Sequence, residues 1–267
     1  MPKNMKLLLI GKNSFISQNI LFYLKNKVFI KNISYEKFKN INLKEIENFD
    51  YICNCSITKN YSSKKYNKKF DNDLILANRI KGLNVKYIFL SSRKIYHPGK
   101  NLDENSKKKP DNNYSKNKLI SEKKLNFTLK KKLIILRISN LIGKLDNIKK
   151  KRKISNTFIY NFYNYKKKGK IIYYENYFKD FLSVEQFSKI FFEILKKNLY
   201  GVYNVSLGKK IYISEIIRAL TKNKKNIKLK RIKIKSNDNF FLNNQKLLKK
   251  IKLKILKKDL LNYCYKI

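Results

Sequence analysis

Residues 7–20 read LLLIGKNSFISQNI: an apolar run that stops at Gly11, a short polar loop, and then apolar residues at helical spacing. Such a run, closed by a turn residue, suits a strand covered on both faces. Ser14 and Ser17 suit the opening of a helix. The free N–H groups and the dipole at that helix start can take a phosphate group. The same alternation continues outward, with apolar runs at Val28–Ile30, Tyr51–Cys55, Val85–Leu90 and Leu133–Ile138 beside Lys6–Ile10. Helical patterns fill Phe15–Lys25, Asp71–Lys81 and Tyr114–Lys130. Near-continuous apolar strands separated by helices predict an α/β fold built on a doubly wound parallel sheet. Beyond Gly143 the pattern is less regular. Residues 144–170 are basic and aromatic, Val184–Lys197 reads as an amphipathic helix, Ile227–Lys235 alternates like a strand with one wet face, and Leu247–Tyr263 reads as one or two helices.

The chain has 267 residues, of which 43% are hydrophobic and 13% aromatic, enough for one substantial core despite 31% charged residues. No apolar run reaches the length of a membrane span or of a signal peptide, so a cytoplasmic protein without membrane partners is expected. The net charge of +46 invites a nucleic-acid reading. However, only six of the 64 basic residues are arginines, the residue favoured for bidentate recognition, and the lysines are spread along the whole chain. The charge therefore reads as solvated surface, with a field that attracts anionic ligands. Cys53 and Cys55 share one strand face and Cys264 stands alone, so none has the spacing of a metal knuckle or redox pair, and no metal is expected.

Two further segments carry chemistry. Tyr114 and Lys118 stand at i and i+4, on one helical face, after Pro110-Asp111-Asn112-Asn113, a segment that can cap a helix. An ammonium near a phenol favours the phenolate, which can exchange a proton with a substrate hydroxyl while a hydride moves to or from a nicotinamide. Upstream, Val85–Leu90 delivers Ser91 and Ser92 to the carboxyl end of a buried strand, where open α/β sheets bind ligands. Ser92 can hydrogen-bond the reacting oxygen. His97, the one histidine, precedes Pro98 and reads as a turn residue.

In their order, these segments resemble the extended short-chain dehydrogenase/reductases, the NAD-dependent epimerase/dehydratase group that acts on nucleotide sugars. The likeness runs from about Lys6 to about Leu220. It rests on Gly11–Ser17, Asp50–Ser56, Phe89–Tyr96, Tyr114–Lys118, Leu136–Gly143, Lys179–Glu185 and Tyr203–Gly208. It implies a Rossmann domain over 1–143 and a mainly substrate-binding part over 144–267, with segments around 180–205 returning to the first domain. It also implies that Gly11, Asn13, Ser14, Phe15 and Ile16 approach the phosphates of NAD or NADP, and that Asn54, Cys55 and Ser56 line the far side of the cofactor. Lys118 would hold the nicotinamide ribose as well as tune Tyr114. Ser92, Asn140 and Lys179 would meet a nucleotide-sugar substrate, and a homodimer is the family's expectation. Sugar selectivity is expected in 144–180.

The chain also departs from the family's pattern. Serines 14 and 17 stand where the glycine fingerprint has its second and third glycines. No acidic residue precedes Glu36 after the second strand, and Lys31, Asn32 and Ser34 there lean towards NADP. Arg93 and Lys94 replace the Asp-Glu pair that dehydratases place after the catalytic hydroxyl, which disfavours dehydration. An epimerase or a 4-keto reductase is expected, with Ser92, Tyr114 and Lys118 as its catalytic set. The competing reading is a degenerate Rossmann-type nucleotide-binding protein without turnover.

Overall fold

The run that opens at Lys6 lies inside a parallel sheet. The protein, described from a computed structural model, is defined over residues 5–143, 162, 170–174, 176–222, 228–232 and 238–267. Through the first half run β1 (Lys6–Ile10), α1 (Phe15–Leu24), β2 (Phe29–Ile33), short helices α2 (Tyr35–Lys39) and α3 (Leu43–Glu47), β3 (Tyr51–Asn54), α4 (Lys59–Ser63), α5 (Asn72–Ile80), β4 (Lys86–Ser92), α6 (Asn113–Leu129) and β5 (Leu133–Ile138). There follow β6 (Asn140–Ile142), β7 (Lys170–Tyr174), β8 (Phe178–Lys179), β9 (Phe181–Ser183), α7 (Val184–Lys196), β10 (Gly201–Val205), β11 (Ile211–Tyr212), α8 (Ile213–Thr221), β12 (Lys228–Ile232), α9 (Gln245–Ile251) and α10 (Lys257–Lys266).

Among the described residues, six strands form one sheet in the order β10-β5-β4-β3-β1-β2, with every neighbour parallel. The chain leaves β1 for β2 on one side and returns to β3 on the other. The carboxyl ends of β1 and β3 therefore flank the point where the winding reverses, the place where such sheets open a ligand crevice. Both faces are covered, as the unbroken apolar runs require. Leu7, Leu9, Cys53, Ile88, Leu90, Ile134 and Leu136 pack with Ile20 of α1 and Phe187 and Phe191 of α7. Leu8, Ile10, Ile52, Tyr87, Phe89 and Ile135 pack with Leu76 of α5 and Leu125 of α6. Each such side chain removed from water contributes roughly 1.5–3 kcal/mol.

β1 and β5 occupy their expected residues, whereas β2 starts and ends later than the apolar run at Val28–Ile30. As the edge strand it needs one covered face only, so Lys31 and Asn32 enter it without cost. β4 likewise continues through Ser91 and Ser92, which pair with Arg137 and Ile138 of β5. Polar residues fasten the second half to the sheet. Asp180, buried between β8 and β9, accepts backbone N–H bonds from Leu207 (2.9 Å), Gly208 (3.1 Å) and Leu242 (3.1 Å). β6 pairs with β9 just beyond it. Of 144–180, where selectivity was expected, residues 144–161, 163–169 and 175 lie outside the described residues.

Gly11 ends β1 at φ +101°, and a Cβ there would stand 2.8 Å from the backbone nitrogen of Ser56. Substituting Gly11→Ala should therefore cost about 2 kcal/mol or more. The thermal midpoint should then fall by roughly 4–8 °C, read by calorimetry. An unchanged midpoint would contradict the close approach of the two loops.

Candidate active site

The site forms where the β1, β3 and β4 ends meet α1 and α6. At the β1 end, the amides of Gly11 and Lys12 both donate to the Ile33 carbonyl (2.8 and 3.0 Å), and the Ser14 amide donates to the Gly11 carbonyl (2.8 Å). Ser14 caps α1, its Oγ accepting from the Ser17 amide at 3.1 Å. The Phe15 and Ile16 amides remain at the helix start, where a phosphate fits the dipole. Asn13 is exposed, and the Phe15 ring is turned towards Gly143 and Val184. The pressed Gly11 loop brings the cofactor residues expected at 11–16 against Cys55 and Ser56.

At the β3 end, Asn54 is buried and locks that turn: its Oδ1 accepts from the Ser56 amide (2.9 Å) and Ser56 Oγ (2.6 Å). Its Nδ2 donates to Asp73 at 3.0 Å. Cys53 and Cys55 lie on one face as expected, their sulfurs 4.0 Å apart.

Ser92 is the last residue of β4, and its Oγ accepts from the Lys94 amide at 3.2 Å. Helix α6 packs over this end. Asn112 and Ser115 cap it reciprocally, so Tyr114 lies in its first turn and Lys118 one turn further in. Asn117 ties α6 to α4, donating to the carbonyls of Tyr61 (2.7 Å) and Lys64 (2.9 Å). Glu122 fixes its far side, pairing through both oxygens with Arg137 of β5 (2.7 and 3.1 Å) and accepting from Ser91 Oγ at 2.5 Å.

Lys118 is buried, with its Nζ 4.4 Å from the Phe89 ring centroid, 5.6 Å from that of Tyr61 and 3.9 Å from Asp73 Oδ2. Asp73 is a site residue that the sequence reading missed. It also accepts from Tyr87 OH at 2.7 Å. Burial pushes its carboxyl up to about 6, while the Lys118 ammonium pulls the other way. Sequence offered one signal, an acid in the scarce Asp71-Asn72-Asp73 set of a chain with 18 acidic residues.

The expected substrate residues lie on a second wall. Asn140 donates through Nδ2 to the Asp180 carbonyl at 3.0 Å, so half of its amide is spent on structure. Lys179 is buried and ion-pairs with Asp238. Burial first, then the neighbouring Arg93 charge, pushes its ammonium down to about 8. His97 is exposed, and its Nδ1 donates to the Pro98 carbonyl at 2.9 Å. Of the residues that lean towards NADP, Lys31 pairs with Glu45, Asn32 accepts from Ser17 Oγ (2.9 Å), and Ser34 caps α2.

A profile of the NAD dependent epimerase/dehydratase family matches residues 31–206. No curated protein sequence matches the chain. Among solved structures, the UDP-N-acetylglucosamine 4-epimerase of Methanobrevibacter ruminantium M1 superposes with a TM-score of 0.79 at 19% identity, over 99% of this chain and 98% of that one. The UDP-glucuronic acid 4-epimerase of Bacillus cereus, solved with NAD, gives 0.73 at 17% identity over 98% of each chain. A dTDP-4-dehydrorhamnose reductase of Bacillus anthracis, solved with NADP, gives 0.71 at 15% over 92% of each. These likenesses establish the fold.

The pH dependence of Asp73 has a definite sign. Its carboxyl titrates near 3.8 when free and near 6 when folded, so the folded protein holds the proton more tightly. That contribution to stability is fully present below the lower value and is lost as pH rises through the upper one. The unfolding free energy of the native protein relative to Asp73→Asn, read by denaturant titration, should therefore be higher at pH 4.5 than at pH 7.5, by about 2 kcal/mol. A difference independent of pH would contradict the buried carboxylate.

Proposed function

The chain belongs to the NAD dependent epimerase/dehydratase family, and on that premise we propose that it is an NAD(P)-dependent nucleotide-sugar 4-epimerase or 4-keto reductase. The observation that carries the reading is the placing of Ser92 at the carboxyl end of β4 under a helix that bears Tyr114 in its first turn and Lys118 in its second. The residues present fit a dinucleotide. Gly11 has no Cβ to fill the space beside Ser56, and the start of α1 opens on the same crevice. Gly11, Asn13, Ser14, Phe15 and Ile16 would hold its phosphates, with Asn54, Cys55 and Ser56 behind it. The nicotinamide supplies a hydride acceptor or donor when bound.

The chain's own groups supply the rest. Tyr114 exchanges the proton of the sugar hydroxyl through its phenol oxygen. Ser92 Oγ donates to the same oxygen and fixes its position. Lys118 provides a positive charge that balances the phenolate and can hold the cofactor ribose. Asp73 anchors that ammonium from below. Asn140 and Lys179 face the substrate, with residues 1–143 as the cofactor part, 144–267 as the main substrate part, and 180–205 returning to the sheet. The neighbours solved with NAD and with NADP support a nicotinamide cofactor without choosing between the two. Among the described residues, no helix is long and apolar enough to cross a membrane. A homodimer also belongs to this reading: Leu74 of α5 and Phe127 of α6, the latter 84% exposed, share an apolar surface that a second copy would cover.

The fate of the cofactor distinguishes the two reactions. A reductase consumes reduced nicotinamide stoichiometrically with a keto-sugar, whereas an epimerase retains and recycles it. Replacing Tyr114→Phe should lower kcat by roughly 10²–10⁴ in whichever assay turns over. Cofactor affinity, followed by nicotinamide fluorescence, should change little. Full turnover by the variant would contradict the mechanism. The serines at 14 and 17 favour a second reading, a nucleotide-binding protein without turnover. Tight cofactor binding with no change of any sugar nucleotide would support that one.

A further inference from the structure

Next in sequence to Ser92 stands Arg93, which the reaction above does not use and which clusters with Lys179. Its guanidinium carbon stands 3.8 Å from the Phe240 ring centroid, so the planar face is pinned and the edges are left to hydrogen-bond. Its Nη1 meets Asp238 Oδ1 at 3.4 Å, while Nε is buried with no partner among the described residues. Lys179 approaches from β8 and pairs with Oδ2 of the same carboxylate. The two cationic side chains are only 14% and 7% exposed, whereas Asp238 is 53% exposed. Two desolvated cations thus lean on one wet carboxylate, whose contact with the guanidinium, at 3.4 Å, is long enough for a better-placed anion to replace. Of the other charges nearby, Lys94 is exposed and adds to the positive field, and Asp111 is exposed and hydrogen-bonds the cap of α6.

We propose that Arg93, with Lys179, receives a carboxylate borne by the sugar ring of the substrate, next to the carbon on which Ser92 and Tyr114 act. The proposal rests on the nucleotide-sugar reading above. The chemistry of a pyranose selects this anion over the diphosphate. The diphosphate is attached at C1, across the ring from C4, whereas an acid at C6 or on O3 is attached beside C4. A group adjacent in sequence to the residue that holds the C4 oxygen meets the second kind. A planar guanidinium fork also matches a carboxylate in two parallel hydrogen bonds. Asp238, half in solvent, holds the cations when the substrate's acid is absent and yields when it binds.

The test is calorimetric titration of matched nucleotide sugars into the full chain loaded with cofactor. UDP-glucuronate against UDP-glucose places the acid at C6, and UDP-N-acetylmuramate against UDP-N-acetylglucosamine places it on O3. In one of the pairs the acid should bind about tenfold tighter or more than its neutral mate, and that pair identifies the source of the carboxylate. Arg93→Met should bring the two members of that pair to within about twofold of each other while leaving the neutral sugar's affinity in place. Asp238→Asn, shown to be folded by circular dichroism, should tighten the acid several-fold and leave the neutral sugar unchanged. Equal affinity for acid and neutral sugars in both pairs overturns the proposal. So does an Arg93→Met variant that weakens all four sugars and UDP alike, since the cation would then serve the diphosphate. Absence of binding by all four and by UDP, in protein that still binds the cofactor, overturns the nucleotide-sugar reading itself and the proposal with it.

Discussion

The buried ion pair between Glu122 and Arg137 holds the rest of the site in register. Both side chains are almost wholly shielded from water and meet through two parallel hydrogen bonds. Breaking such a pair by removing one partner leaves an uncompensated charge, at a cost of about 3–5 kcal/mol. Here the pair joins α6 to β5, while Ser91 Oγ, the residue before Ser92, donates to the same carboxylate. Arg137 continues the chain of contacts to Tyr96, whose hydroxyl donates to Asn204 of β10. One charge pair therefore fixes the strand end that presents Ser92, the helix that presents Tyr114 and Lys118, and the sheet edge that carries the second half of the chain.

Scarce acids are placed where they matter. Against 64 basic residues the chain has 18 acidic ones. Asp71, Asp73, Glu122 and Asp180 are all buried at or near the site. Asp71 caps α5 and accepts from Ser121 of α6 at 2.6 Å. Asp73 faces Lys118, and Asp180 gathers three backbone amides beside Lys179. The surface charge of this protein is nearly all of one sign, yet the interior of the site is organised by individual carboxylates. Electrostatics inside low-dielectric surroundings decides geometry, while the lysine-rich exterior contributes a diffuse field.

Much of the fold is legible in sequence because burial on both faces forces unbroken apolar runs, as at Leu7–Ile10 and Leu133–Ile138. β2 escapes that logic because an edge strand tolerates Lys31 and Asn32. The short helices α2 to α4 escape it too, since five residues carry no readable period. In the site, Ser92, Tyr114 and Lys118 are visible because spacing and strand position carry meaning locally. Asp73, Asp238 and the contacts of Arg93 are not, because they arise from partners 45, 59 and 145 positions away in the chain, brought together only by folding. The Lys31–Glu45 pair was hidden for the same reason, since Glu45 belongs to a helix that the pattern did not reveal.

Under the proposed function, the Gly11 loop, the end of β3 and the first turns of α6 form one cofactor crevice. Hydrogen–deuterium exchange of the folded protein, with and without reduced NAD or NADP, tests that crevice at the backbone. Slowed exchange is expected at residues 11–17 and 54–56 and across the first two turns of α6 when cofactor binds. Unchanged exchange at these three segments, with cofactor shown to be bound, would contradict it.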